Sequence, residues 1–180
     1  HAARCELDYY ASDITRTFPS NGRFSEPQRA LYQLVLDAQY AAIEATKPGN
    51  HWNQPHEAAV KVLTAGLVEL GLLSGEVDEL IESLAYRQFY MHKTGHWLGM
   101  DVHDVGEYRV DGEWRTLAPG MVLTIEPGIY VAPDDESVDE KWRGIGIRIE
   151  DDVVVTKDGC DVLTKDVVKE IADIEALMSA

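Results

Sequence analysis

Gly144-Ile145-Gly146-Ile147-Arg148-Ile149-Glu150-Asp151-Asp152 reads as a buried strand that carries charge. Side chains along a strand alternate between its faces, so Ile145, Ile147 and Ile149 line one face. Gly146, Arg148 and Glu150 line the other. A guanidinium and a carboxylate inside such an apolar run are costly unless something satisfies them. The glycine beside them leaves room for a ligand or a second backbone. Two readings stand at this point: a structural Arg148–Glu150 pair, or one wall of a functional site.

A second apolar run carries a carboxylate in the same way. In Pro119-Gly-Met-Val-Leu-Thr-Ile-Glu-Pro-Gly-Ile-Tyr130, Glu126 follows Leu123 and Ile125, and Pro127-Gly128 ends the strand directly after it. Such an end is rigid behind and open in front. Asp13-Ile-Thr-Arg-Thr-Phe18 also alternates, placing Asp13, Thr15 and Thr17 on one face. Those threonines can orient a carboxylate, or the segment is an exposed hairpin edge. Three of the six histidines, His92, His96 and His103, fall in Met91–His103. Gly95 and Gly99 interrupt any helix there and no HExxH is present, so His92 and His96 are not a helical zinc pair. A single histidine is commonly structural; three threaded with glycine point to a ligand or acid–base role.

Between these runs the periodicity is helical. Ser25-Glu-Pro-Gln28 is a capping box with proline in the first turn. Leu31, Leu34, Val35, Ala38, Ala41 and Ala42 follow at helical spacing until Lys47-Pro-Gly49. A second helix is expected over about residues 55–70, with Gly71 as its C-cap. A third is expected over about 77–86, through Leu80, Ile81 and Leu84. These stripes are core. Ile171, Ile174, Leu177 and Met178 mark a last helix. His51 and His56 read as surface histidines. Residues 5–18 suggest two short strands, 132–140 a solvated acidic loop, and 153–164 a hairpin turning at Asp158-Gly159.

The 180 residues are enough for one domain with a real core, and the fold class is α+β. The chain has 32 acidic and 16 basic residues, a net charge of −16, which disfavours nucleic acid and anionic membranes as partners. Cys5 and Cys160 form no CxxC, and no secretory signal or long apolar run is visible, so a cytoplasmic location is expected. Asp13, His96, Glu126 and Glu150, with His92, His103 and Arg148 nearby in type, make a hard, oxygen-rich donor set suited to manganese, cobalt or zinc. Two bridged ions would activate a water and stabilise an oxyanion, so the chemistry implied is hydrolysis.

Four ordered segments, Asp13-Ile-Thr-Arg-Thr17, His92-x-x-x-His96-Trp-Leu-Gly with His103-Asp-Val-Gly106, Thr124-Ile-Glu-Pro-Gly-Ile-Tyr130 and the opening stretch, resemble those of the aminopeptidase P family, the Xaa-Pro aminopeptidases. The resemblance implies the pita-bread fold, a curved and mainly antiparallel sheet with helices on its outer face. It implies Asp13 and Glu150 as bridging metal ligands and His96 and Glu126 as ligands of one ion. Two Mn(II) ions are expected for the family. His92 and His103 would assist catalysis, with Glu126 as a proton shuttle and Tyr130 and Arg148 lining the substrate pocket. The reaction would be attack of a metal-bridging hydroxide on a peptide whose second residue is proline.

Two departures qualify that expectation. The family carries an aspartate of an Asp-Ala-Gly segment eleven residues before Asp13, where this chain has Ala2-Ala3-Arg4. A methyl group binds no metal, so the second ion loses a ligand. The chain also enters its first strand almost at once, so residues 1–180 read as the C-terminal part of that catalytic domain. Weak or absent activity and association into homo-oligomers are the corresponding expectations. A non-catalytic peptide-binding module of the same fold and a related prolidase or methionine aminopeptidase are alternatives. A metal-free creatinase-like hydrolase is disfavoured by the number of carboxylates.

Overall fold

The computed structural model describes residues 2–179. Two long strands organise it, and both are broken at the same level. One consists of β7 (Val122–Ile125) and β8 (Gly128–Tyr130); the other of β9 (Gly146–Arg148) and β10 (Asp151–Val155). β7 pairs antiparallel with β10, matching Ile125 to Asp151, and β8 pairs with β9, matching Gly128 to Arg148. Pro127 has no N–H to give a ladder, and its carbonyl accepts from Ile149 at 3.3 Å across the break. Glu126 and Glu150 lie in that break.

Shorter segments extend this pair on both sides. β11 (Cys160–Val162) forms the expected hairpin with β10, through a turn containing Asp158 and Gly159. Near the N-terminus, β1 (Ala2–Ala3) pairs with β4 (Ile14–Thr15), and β2 (Glu6–Leu7) with β3 (Tyr10–Ala11). Thr15 of β4 bridges to Glu150, and Trp97 bridges to Leu123 of β7. The lateral order is therefore β1, β4, the broken strand 146–155, the broken strand 122–130, and the segment 94–98. A separate hairpin joins β5 (Arg109–Val110) and β6 (Glu113–Trp114). Every one of these strand pairings is antiparallel, as expected.

Helices cover one side. α1 (Glu26–Ala45) begins with the complete capping box: Ser25 accepts from the Gln28 N–H, and Gln28 Oε1 accepts from the Ser25 N–H at 2.9 Å. Its buried stripe of Leu31, Tyr32, Val35, Leu36, Ala38 and Ala42 lies across β7, β8 and β9. Each such leucine or valine contributes about 1.5–3 kcal/mol of burial. α2 (Gln54–Glu69) packs along α1, and Gly66 permits the close approach because a Cβ there would collide with the methyls of Leu34. The helix ends at Leu70 beside Gly71, which sits at φ +76°.

Three readings need correction. The third helix, α3 (Val77–Glu82), stops earlier than 86 because Leu84 turns left-handed at φ +60°, and 85–88 continues as a 3₁₀ turn. The α3 stripe is not core: that helix holds no buried residue, and Leu84 is exposed; the last helix, α4 (Ile171–Met178), forms as expected and buries Ile171 and Ile174. His56 is no surface histidine: it is buried in the first turn of α2, with Nδ1 2.8 Å from the Thr94 hydroxyl. Burial lowers its pKa to about 4. The acidic segment 132–140 is mostly exposed, although Val138 within it is buried.

Candidate metal centre

The lateral strand order places one chemically active side chain on each of four neighbours. Asp13 immediately precedes β4, Glu150 and Glu126 occupy the paired breaks, and His96 lies on the segment beside β7. His96 Nε2 is 3.5 Å from Glu126 Oε1, 3.9 Å from Asp13 Oδ2 and 4.0 Å from Glu150 Oε1. Candidate ligand atoms of His96, Glu126 and Glu150 lie within 4.8 Å of one another, and so do those of Asp13, His96 and His103. The His103 ring stands edge-on to His96 with centroids 4.1 Å apart.

Local hydrogen bonds prepare these groups. The Trp97 carbonyl lies 2.9 Å from His96 Nδ1. A carbonyl only accepts, so Nδ1 carries the proton and Nε2 presents its lone pair to the carboxylates. The backbone around His96 is held by Thr124, whose hydroxyl accepts the His96 N–H at 3.1 Å while its own N–H donates to the His96 carbonyl at 3.0 Å. Thr15 donates its hydroxyl proton to Glu150 Oε2 at 2.5 Å and accepts from Arg148 Nε and Nη2 at 3.3 and 3.2 Å. Arg148 thus reaches Glu150 through Thr15 and faces Glu126 Oε2 at 3.9 Å. Among the described residues the two charges on that strand form no direct ion pair and are linked through Thr15.

The electrostatics describe a site short of positive charge. Burial raises the Glu126 carboxyl to about 8, aided by Glu150 and Asp13 and opposed by Arg148. Burial also raises Glu150, against its hydrogen bond from Thr15, and lowers His96. Glu150 Oε1 is buried with no hydrogen-bond partner among the described residues, and neither has Asp152 Oδ1. An orphaned carboxylate oxygen converging with an imidazole lone pair fits a divalent cation.

The substrate-side candidates flank this cluster. The His92 Nδ1 proton is donated to the Lys93 carbonyl at 2.8 Å, leaving Nε2 to accept from the Tyr130 hydroxyl at 2.8 Å. Burial lowers His92 and raises Tyr130, so both are neutral near pH 7. Sequence reasoning assigned no role to Asp152, Arg16 or Arg4. Asp152 Oδ2 accepts the Asp13 N–H at 3.1 Å, and burial lifts its carboxyl to about 7. Its place two residues after Glu150, on the same face, was a usable signal. Arg16 is buried behind the centre, donating to the Glu150 carbonyl at 2.6 Å and to Asp151 Oδ1 at 2.7 Å. Arg4 Nε reaches Asp13 Oδ1 at 3.3 Å.

Residues 2–157 match the model of metallopeptidase family M24. The chain is 57% identical over 177 residues to the Xaa-Pro aminopeptidase of Haemophilus influenzae, covering 98% of this chain and 41% of that protein. It is 53% identical over 178 residues to the Xaa-Pro aminopeptidase of Escherichia coli K12, covering 99% and 40%. The structure of Pseudomonas aeruginosa aminopeptidase PepP superposes with a TM-score of 0.98 at 68% identity, over 99% of this chain and 40% of that one. Zn-substituted E. coli aminopeptidase P in complex with product superposes at 0.94 with 52% identity, over the same shares. The chain spans about two-fifths of the length of the curated relatives it matches.

Proposed function

Since the chain belongs to metallopeptidase family M24 and has its pita-bread fold, we propose that it carries the metal centre of an Xaa-Pro aminopeptidase. The carrying observation is the convergence of His96 Nε2 with carboxylate oxygens of Glu126, Asp13 and Glu150, within 4.0 Å in each case. In this reading Asp13, His96, Glu126 and Glu150 hold a divalent ion, with Mn(II) as the family's metal. Such an ion would polarise a peptide carbonyl and supply a nucleophilic water near neutral pH.

The chain's own residues do the rest. Glu126, with a carboxyl near 8 before metal enters, takes and returns a proton at Oε1 or Oε2. His92 and His103 stand beside the charge that develops on the carbonyl oxygen. Tyr130 and Arg148 line the side on which a peptide with proline second would lie. Ala2 offers no ligand for a second ion, and activity of this chain by itself is expected to be weak. That same feature favours a second reading, a peptide-binding module without catalysis.

Further parts of the reading concern setting. The exposed apolar groove of about 330 Å³ beside Ile14, Phe18 and Met178 supports self-association. No helix among the described residues is long and apolar enough to cross a membrane. The two cysteines are unpaired, which supports a cytoplasmic location. The acidic balance supports peptide partners over nucleic acid or membrane.

The test is Mn(II) binding by calorimetry together with release of the first residue from an Xaa-Pro peptide. Glu150→Ala is expected to abolish both. Unchanged Mn(II) binding in Glu150→Ala would remove the assignment, and metal-independent peptide binding without cleavage would favour the second reading.

A further inference from the structure

The two oxygens of Asp13 are divided between different cationic partners. Oδ2 faces His96 Nε2 at 3.9 Å, on the side of the metal cluster. Oδ1 accepts from Arg4 Nε at 3.3 Å. We propose that Arg4 is a tethered cation occupying the electrostatic place of a second divalent ion, so that this centre takes up one ion rather than two. The inference rests on the metallopeptidase reading above and adds to it the number of ions and the residue that sets it.

Three properties of the chain carry it. First, a guanidinium stays protonated and only donates, so Arg4 holds Oδ1 without being able to ligate a metal. Second, the strand that delivers Arg4 brings no replacement ligand: Ala2 pairs with Thr15 and Ala3 with Ile14, and both present methyl groups. Third, the charges balance. One divalent ion with the guanidiniums of Arg4 and Arg148 offsets the four carboxylates of Asp13, Glu126, Glu150 and Asp152. Two divalent ions beside Arg4 would leave a net positive centre. The Arg4 side chain is about half exposed, at 53%, so solvent tempers the grip and its removal changes affinity before it changes the fold.

The experiment is equilibrium dialysis of the 180-residue chain against Mn(II), counting ions per chain by elemental analysis. Mn(II) electron paramagnetic resonance separates an isolated ion from a coupled pair. The chain and its Arg4→Lys variant are expected to hold one isolated ion. Arg4→Gln should bind that ion about tenfold more tightly, because a like charge has left its neighbourhood. The double variant Ala2→Asp/Arg4→Gly should take up a coupled pair. Two tight ions in the unaltered chain would overturn the proposal, as would Arg4→Gln leaving both number and affinity unchanged. One ion insensitive to Arg4 overturns this inference alone. No ion in any form, the double variant included, overturns the metallopeptidase reading with it.

Discussion

Glu126 and Glu150 sit opposite each other where two antiparallel strands break together, with Ile125 paired to Asp151 on one side and Gly128 paired to Arg148 on the other. The two pairings share one register, so Glu126 and Glu150 stand as a cross-strand pair whose side chains fall on the same face of the sheet. His96 approaches both carboxylates on that face. Two buried like charges are unfavourable in the absence of a cation, and that cost makes the centre's behaviour predictable.

The metal-free chain is expected to lose stability as pH rises from about 6.5 to 8. Burial raises Glu126 from 4.5 to about 8 and Asp152 from 3.8 to about 7. Through this window the folded state keeps protons that the unfolded chain has released, so stability falls with pH. His56, His92 and His96 are lowered from 6.5, chiefly by burial. Their contribution rises with pH below 6.5, opposing the carboxylates there, and adds no slope above it. Saturating Mn(II) should reverse the trend, because the ligands bind deprotonated. Thermal melts with chelator and with Mn(II) at several pH values check this. A metal-free Tm that climbs from pH 6.5 to 8 would refute it.

Glu126→Gln follows from the same electrostatics. At pH 8.5 the variant without metal should be more stable than the unaltered chain by on the order of 1–3 kcal/mol, because a buried anion has been removed. At pH 5.5 the gain should vanish, since Glu126 is already protonated in the folded state. Mn(II) affinity should fall at both pH values. Denaturant melts and calorimetry on one preparation separate the effects, and a stability gain independent of pH would contradict the stated cause.

Arg16→Ala is expected to be much more damaging, through a network that reaches the centre at the Glu150 backbone carbonyl. Its guanidinium donates to the carbonyls of Thr15, Glu150, Val167 and Val168 and to Asp151 Oδ1. Asp151 is fully buried, and burial alone would raise its carboxyl; Arg16 and Lys169 together hold it below the usual range. Removing Arg16 takes one of the two cations from that buried charge and leaves several carbonyls unpaired, at a cost of about 3–5 kcal/mol. A urea titration showing less than 1 kcal/mol of loss would mean that the network does not support the centre.

What the sequence disclosed and withheld follows from the range of each interaction. The α1 capping box, the Ile147–Ile149 core face and the turn at Asp158-Gly159 are local, and each was legible from neighbouring residues. The segments carrying Asp13, His96, Glu126 and Glu150 were visible as charged interruptions of apolar or glycine-rich runs. Their grouping into one centre was expected from their residue types and the family resemblance, but the lateral strand order that brings them together was not legible. His56 looked exposed since its partner, Thr94, arrives from 38 residues away. Arg16 looked like a spacer between Asp13 and Phe18, because its partners lie more than 130 residues downstream. The early end of α3 at Leu84 had no glycine or proline to announce it.

Gly95→Ala tests how tightly the His96 segment is held. Residues 94–96 lie against β7 through three backbone links: the Glu126 N–H donates to the Thr94 carbonyl at 2.6 Å, the Thr124 N–H to the His96 carbonyl, and the His96 N–H to the Thr124 hydroxyl. A Cβ at position 95 would run into the carbonyl oxygen of Thr124. That atom belongs to a buried strand and cannot swing aside, so the segment must lift away and take His96 with it. The expected cost is about 1–3 kcal/mol, with a matching loss of Mn(II) affinity. Gly159→Ala serves as the comparison, because no atom lies within 4 Å of its Cβ position; it should stay within about 0.5 kcal/mol of the unaltered chain. If Gly95→Ala kept both its Tm and its Mn(II) affinity, His96 would not be fixed through β7, and the lateral strand order could not be what assembles the centre.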